Sequence, residues 1–207
     1  MSDQSSSAAG SCKINWRKIA EFEGNAASGY VPMDRSGNII GESGVTIGMG
    51  IDLGAFDETA LDALGLQLSL NEKLRPYLGL KRTAAIDKLE KAPLRLTLEE
   101  VDTLNAAIQA AQVAPLQRAY DAAVGPDGPR FDNLPEPART VIASVKFQWG
   151  NIWHRVDNAN IVSFWRAAVA QDWRQMETVL RGWTPATYHT RRNAEADCLR
   201  PLLSADA

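Results

Sequence analysis

Glu23, Thr46 and Asp52 are the residues of this chain whose types and spacing could do chemistry together. Thr46 and Asp52 lie in Gly44-Val45-Thr46-Ile47-Gly48-Met49-Gly50-Ile51-Asp52-Leu53-Gly54, which reads as a strand and turn punctuated by glycine. Glu23, followed by Gly24, closes a helical stretch just upstream. Two carboxyl groups held on different elements across a narrow gap are what breaking a sugar–sugar bond requires. One protonates the departing oxygen and the other activates a water. Glu23 extends the apolar face formed by Trp16, Ile19 and Ala20, where desolvation favours a protonated acid. Asp52 sits among glycines, whose bare backbone lets a substrate and water come close, as a base needs. The hydroxyl of Thr46 suits orienting that water.

Each residue also has a plain reading. A glutamate at a helix end is ordinarily a solvated residue or a cap, and a Gly-x-Gly-x-Asp segment is ordinarily a turn. A phosphate loop is excluded on sequence. Gly48-x-Gly50 lacks the third glycine of the dinucleotide fingerprint and the Lys-Ser/Thr of a nucleotide loop.

The elements that must position these groups follow from periodicity and punctuation. Residues 14–22 predict a short amphipathic helix stopped by Gly24-Asn25. Three short β-prone runs, at 29–32, 37–41 and 45–48, predict a small antiparallel sheet of two or three strands, with a hairpin turn at Ser36-Gly37-Asn38. After Asp57 the pattern is helical. Helices are expected at 58–64, 71–77, 81–91, from the capping box Thr97-Leu98-Glu99-Glu100 onward, from Pro137 to Trp149, and at 161–170, 173–180 and 191–203. Pro115 either kinks the helix opened at Thr97 or begins the next one. The prediction is an α+β protein, with a small antiparallel β lobe and a larger helical lobe. Residues 1–13 read as a flexible tail and 14–207 as one domain, with lobes at roughly 14–56 and 57–207. A cleft between two such lobes suits a long polymer.

Composition narrows the function classes. The 207 residues are 45% hydrophobic and 23% charged, with a net charge of −3, which argues against strong nucleic-acid binding. No apolar run approaches the roughly 20 residues of a membrane span. The start of the chain has neither the basic nor the apolar segment of a secretory signal. The two cysteines, Cys12 and Cys198, make no zinc pattern; they are either free thiols or, if the two ends meet, a disulfide. His154 and His189 are too isolated to suggest a ligand set. No metal or cofactor is expected.

The triplet resembles that of the phage-type lysozymes, and more closely that of the pesticin-like muramidase domains. Thr46 follows Glu23 by 23 positions and Asp52 follows Thr46 by 6, the intervals of that group. Further on, Phe147-Gln148-Trp149-Gly150-Asn151 is similar to the end of the central helix in phage lysozymes. Trp183 with Arg191-Arg192-x-x-Glu195 is similar to a C-terminal pattern of phage endolysins. The resemblance implies Glu23 as acid, Thr46 as helper and Asp52 as base. It implies cleavage between N-acetylmuramic acid and N-acetylglucosamine with inversion at the anomeric carbon. Gln148, Arg191, Trp183 and Tyr30 are the substrate-contacting candidates. Arg191 stands before Arg192 as the partner of the acid, and Trp149 and Trp183 also suit the core. Shorter phage lysozymes carry the base before the threonine, which makes Asp34 the reserve candidate.

The expected partner is bacterial peptidoglycan, met by a monomer with no membrane insertion and no nucleic acid. The resemblance implies a delivered antibacterial toxin, made in the cytoplasm without a signal peptide and acting on the wall in the periplasm of a target cell. It also implies an immunity protein that blocks the cleft. The alternatives are a phage endolysin of the same activity, a lytic transglycosylase working with one glutamate, and a silent wall-binding module.

Overall fold

The computed structural model describes residues 14–204, and of Phe22 and Glu23 the backbone alone. The expected tail lies outside the described residues. So does Cys12, and with it the question of a disulfide to Cys198. The described residues form two compact units. One, here the sheet unit, is Ala20–Gln112; the other, the helical unit, holds the residues up to Ile19 and from Val113 on. The boundaries fall inside two helices rather than in a linker. They do not separate sheet from helices at residue 57, because several helices belong with the sheet.

Helix α1 (Trp16–Glu23) ends where Gly24 turns to a φ of +78°. The sheet follows: β1 (Ala26–Tyr30), β2 (Thr46–Gly48) and β3 (Ile51–Asp52), antiparallel in the order β1-β2-β3. Gly48 and Gly50, at φ +60° and +83°, make the tight turn between β2 and β3, a conformation that favours glycine. Val45, Ile47, Ile51 and Leu53 are buried beneath it. The outer edge of β1 is covered by the segment around Arg95, with Gly29 N donating to Leu94 O (2.9 Å) and Leu96 N to Ala27 O (2.9 Å). Gly29 allows that close approach, since a Cβ there would stand 3.0 Å from that of Leu94.

The strand expected at 37–41 reduces to a single bridge between Met33 and Ile39. The reason is local. Asp34 Oδ1 accepts from the amides of Ser36 and Asn38, both at 2.8 Å, and wraps the segment into the expected turn instead of a ladder.

Three short helices complete most of the sheet unit: α2 (Glu58–Asp62), α3 (Leu68–Leu74) and α4 (Arg82–Lys91). Asp57 caps α2 by accepting from Ala60 N (2.7 Å). A 3₁₀ turn at Arg75–Tyr77 continues α3. The capping box forms as the sequence predicts: Thr97 N donates to Glu100 Oε2 (2.9 Å) and Glu100 N to Thr97 Oγ1 (3.2 Å). It opens α5 (Leu98–Val124), one unbroken helix that carries Pro115 inside it.

In the helical unit, α6 (Glu136–Trp149) has Pro137 in its first turn and stops at Gly150, φ +74°. Asn158 and Asp172 cap α7 (Ala159–Val169) and α8 (Trp173–Arg181). The helix expected over 191–203 is two, α9 (His189–Cys198) and α10 (Arg200–Leu203). Pro201 has no amide hydrogen to give and crowds the preceding turn, so the helix breaks at Leu199. Helix α8 packs against α7 and α9. Tyr120, Phe131, Phe164, Met176, Leu180 and Trp183 are enclosed in this core. The α+β class is as expected: ten α-helices and one three-stranded antiparallel sheet among the described residues. No helix among them is long and apolar enough to cross a membrane.

Candidate active site

In the sheet unit, three of the expected site residues stand in one row. Tyr30 of β1 is the register partner of Thr46 of β2, and Thr46 is that of Asp52 in β3. Directly opposed residues share a face, with Cβ atoms about 4.5–5.5 Å apart between neighbours. The sheet therefore presents a phenol, a hydroxyl and a carboxylate side by side. Tyr30 is exposed, Asp52 half-buried and Thr46 buried, at 3% exposure.

Asp52 is held by backbone. Its Oδ1 accepts from Gly44 N (3.0 Å) and Gly54 N (2.8 Å), the second bond capping the 3₁₀ turn Leu53–Ala55. Its Oδ2 makes no hydrogen bond among the described residues. Both donors must be glycine. A Cβ on Gly44 would fall 2.4 Å from Leu80 O and 2.7 Å from Asp52 Oδ1, and one on Gly54 2.5 Å from Leu80 O. Thr46 Oγ1 donates to Gly44 O (3.3 Å), which ties the hydroxyl to the same loop.

A residue that sequence reasoning missed pins the β2–β3 turn from below. Asn105, buried on α5, accepts from Met49 N (3.1 Å) and donates to Asn25 Oδ1 (2.9 Å). Gly48 leaves room for it, since a Cβ there would be 2.5 Å from Asn105 Oδ1. The only hint in the sequence is a polar residue beside Leu104 and three before Ile108, on the apolar face of α5.

Glu23 is the last residue of α1, one before the left-handed Gly24. Its side chain lies outside the described residues, and with it the distance to Asp52. The reserve base, Asp34, is exposed and fully engaged in its own turn, with Oδ2 accepting from Asn38 Nδ2 (3.1 Å) as well. Those bonds from Asn38 lower its pKa below the ordinary carboxylate value.

In the helical unit the remaining candidates gather around a buried carboxylate, Glu195. Its Oε2 meets Arg192 Nη1 (2.9 Å), and its Oε1 accepts from Arg191 Nε (3.2 Å) and from the Ser144 hydroxyl. Arg191 Nη2 also donates to Ser144 O (3.2 Å), and Arg192 Nη2 to Gln148 Oε1. Ser144 and Gln148 lie one turn apart on α6, as do Arg191 and Glu195 on α9, so each helix offers one face to the other. Burial pushes the Glu195 carboxyl above its ordinary value, while both guanidiniums and Ser144 pull it back. Trp183 is 0% exposed. Arg192 lies over its ring, 4.9 Å from the centroid, and Trp149 packs beside it at 6.0 Å. Of the two readings the sequence allowed for Trp183, core and sugar platform, this enclosure describes the core. Its burial corrects the substrate-contacting assignment: the ring supports Arg192.

The segment 13–174 matches the pesticin family, described as a bacterial toxin homologue of phage lysozyme, C-terminal part. The chain belongs to the pesticin family. The fold is consistent with this lysozyme-like family, and the resemblance read from the triplet stands. Glu23, Tyr30, Thr46, Asp52 and Gln148 fall inside the matched segment; Trp183, Arg191 and Glu195 lie beyond it. Compared with the curated proteins, the chain matches none. Among the described residues no three His, Cys, Asp or Glu side chains group closely enough to hold a metal ion.

Proposed function

We infer that this pesticin-family chain is a muramidase that hydrolyses the β-1,4 bond between N-acetylmuramic acid and N-acetylglucosamine. The observation that carries the reading is the Thr46–Asp52 pair, opposed across β2 and β3 in a family of phage-lysozyme homologues. Glu23 gives its proton to the glycosidic oxygen as the bond to the anomeric carbon breaks. Asp52, through the oxygen its backbone bonds leave open, takes a proton from a water held with the Thr46 hydroxyl. The oxygen of that water bonds to the anomeric carbon from the opposite face, so the configuration inverts. Both carboxyl groups return to their starting states when Asp52 passes its proton to solvent and Glu23 regains one. Such a route needs a carboxyl separation of about 6.5–9.5 Å. The toxin description of the family supports an antibacterial enzyme, to which we assign delivery to the wall of a target cell and an immunity protein as its natural inhibitor. Tyr30, Gln148 and Arg191 are the residues we assign to holding the glycan.

The test is mass spectrometry of fragments released from purified sacculi. Reducing muramic ends that carry one oxygen from ¹⁸O-water are the expected products. Anhydro-muramic ends would replace hydrolysis by a transglycosylase reaction, and no fragments at all would replace it by wall binding. Glu23→Gln should abolish release while leaving the circular-dichroism spectrum and melting temperature near those of the wild type.

A further inference from the structure

The helical unit carries a groove that neither the acid/base residues nor the Glu195 cluster uses. Two depressions, about 470 and 620 Å³, share Ala123, Trp153 and Trp165. Their walls are two helix faces. On α5, Pro115, Arg118, Ala119 and Ala122 follow the spacing of one face. On α7, Val162, Trp165, Arg166 and Val169 do the same. Trp153, from the 3₁₀ turn Ile152–His154, stands between the depressions, 6.1 Å from Trp165. Both indoles are only half-buried, and Val156 at the rim is 90% exposed.

The charge on this groove is one-sided. Arg118, Arg155 and Arg166 line it, and among the described residues no aspartate or glutamate does. Arg155 is neutralised by Asp157, through Nε–Oδ1 at 2.8 Å and Nη2–Oδ2 at 3.0 Å. Arg118 and Arg166 are exposed and make no ion pair among the described residues. The whole chain is acidic, at −3, so this is a local reversal of sign.

We propose that the groove docks an acidic amphipathic helix of a partner protein, its apolar side chains seated on either side of Trp153 and its carboxylates on Arg118 and Arg166. A furrow between two helix faces, small on one side and aromatic on the other, takes a third helix through anchors at i, i+3, i+4 and i+7. Tryptophan and arginine are the side chains that most often dominate such contacts. A sugar is the poorer fit. The lining has no Asn, Gln, Ser or Thr to satisfy a ring of hydroxyls. A lipid surface is poorer too, because the indoles line a hollow instead of a raised apolar face. The proposal does not rest on the catalytic reading.

The experiment displays a library of helices about four turns long, with a varied apolar face and a polar face of either glutamate or lysine, against the whole chain. Glutamate-faced helices should be enriched, and a selected one should bind, by titration calorimetry, at least about tenfold more tightly than its lysine-faced counterpart. Arg118→Glu with Arg166→Glu should reverse that preference while fragment release from sacculi stays unchanged. Trp153→Ala should weaken both helices. Absence of enriched helices, equal binding of both charge types, or a preference indifferent to the arginine reversal would overturn the proposal. So would a groove that answers only to chitotetraose or to phosphatidylglycerol vesicles.

Discussion

Asp52 and Glu195 are held in opposite ways, one in each unit. Asp52 is gripped by two backbone amides through one oxygen, and the other makes no hydrogen bond among the described residues. Glu195 has no backbone donor among the described residues. Two guanidiniums and a hydroxyl surround it, and it is buried. An amide grip fixes a carboxylate without a counter-charge and leaves an oxygen for chemistry. A guanidinium cage balances the charge of the buried carboxylate and ties it to the arginines. The contrast fits the role proposed for Asp52 as the base, and it gives Glu195 a positioning role.

The largest expected effect tests the first half of that contrast. Asp52→Asn keeps an oxygen where Oδ1 accepts its two amides, so unfolding free energy should change by less than about 1 kcal/mol. Fragment release should still fall about 10²–10⁴-fold, the range of a lost general base. Parallel loss of fold and activity would make Asp52 a cap like Asp57. The second half predicts the reverse pattern. Glu195→Ala removes the buried anion that faces Arg191 and Arg192 and should cost about 3–5 kcal/mol in urea unfolding. A variant as stable as the wild type would show that the cage is not needed.

A smaller effect sharpens the amide grip. Gly54→Ala places a Cβ against Leu80 O and 3.0 Å from Asp52 Oδ1. It should cost about 1–3 kcal/mol of stability and lower activity by displacing the carboxylate. Unchanged activity would mean that the position of Asp52 does not matter. The smallest prediction concerns another buried charge. Lys146 on α6 is 5% exposed, has no acid partner among the described residues, and burial lowers its pKa to about 8. The unfolded chain holds that proton up to about 10.5, so between these values it binds more protons and stability rises with pH. Lys146→Met should gain about 2 kcal/mol at pH 7 and flatten that rise relative to the wild type in chemical denaturation. A variant with the same pH profile would assign the rise to other groups.

Much of the fold was legible because its signals are local. The capping box at Thr97, the stops at Gly24 and Gly150 and the helix start at Pro137 each act through neighbouring residues. They held in place. The strand at 37–41 and the single helix over 191–203 did not, for equally local reasons that hydrophobic pattern hides: an aspartate that captures two amides, and a proline one turn from an end. The site was legible in part. Residue types marked Thr46 and Asp52, but a polar residue on the apolar face of α5 does not by itself say that Asn105 braces their turn. Nothing near position 195 says that Glu195 is enclosed by groups from two helices.

What the amino-acid order determines alone is most of the helices, the candidate chemical groups and the resemblance to the family. Hydrogen bonds within a few residues and the periods of helix and strand are enough for that. Only the tertiary structure decides that Tyr30, Thr46 and Asp52 form one row, that two amides grip a single oxygen of Asp52, and that Trp183 is core. Strand register and burial depend on partners far along the chain, and a side chain's chemistry follows from what surrounds it.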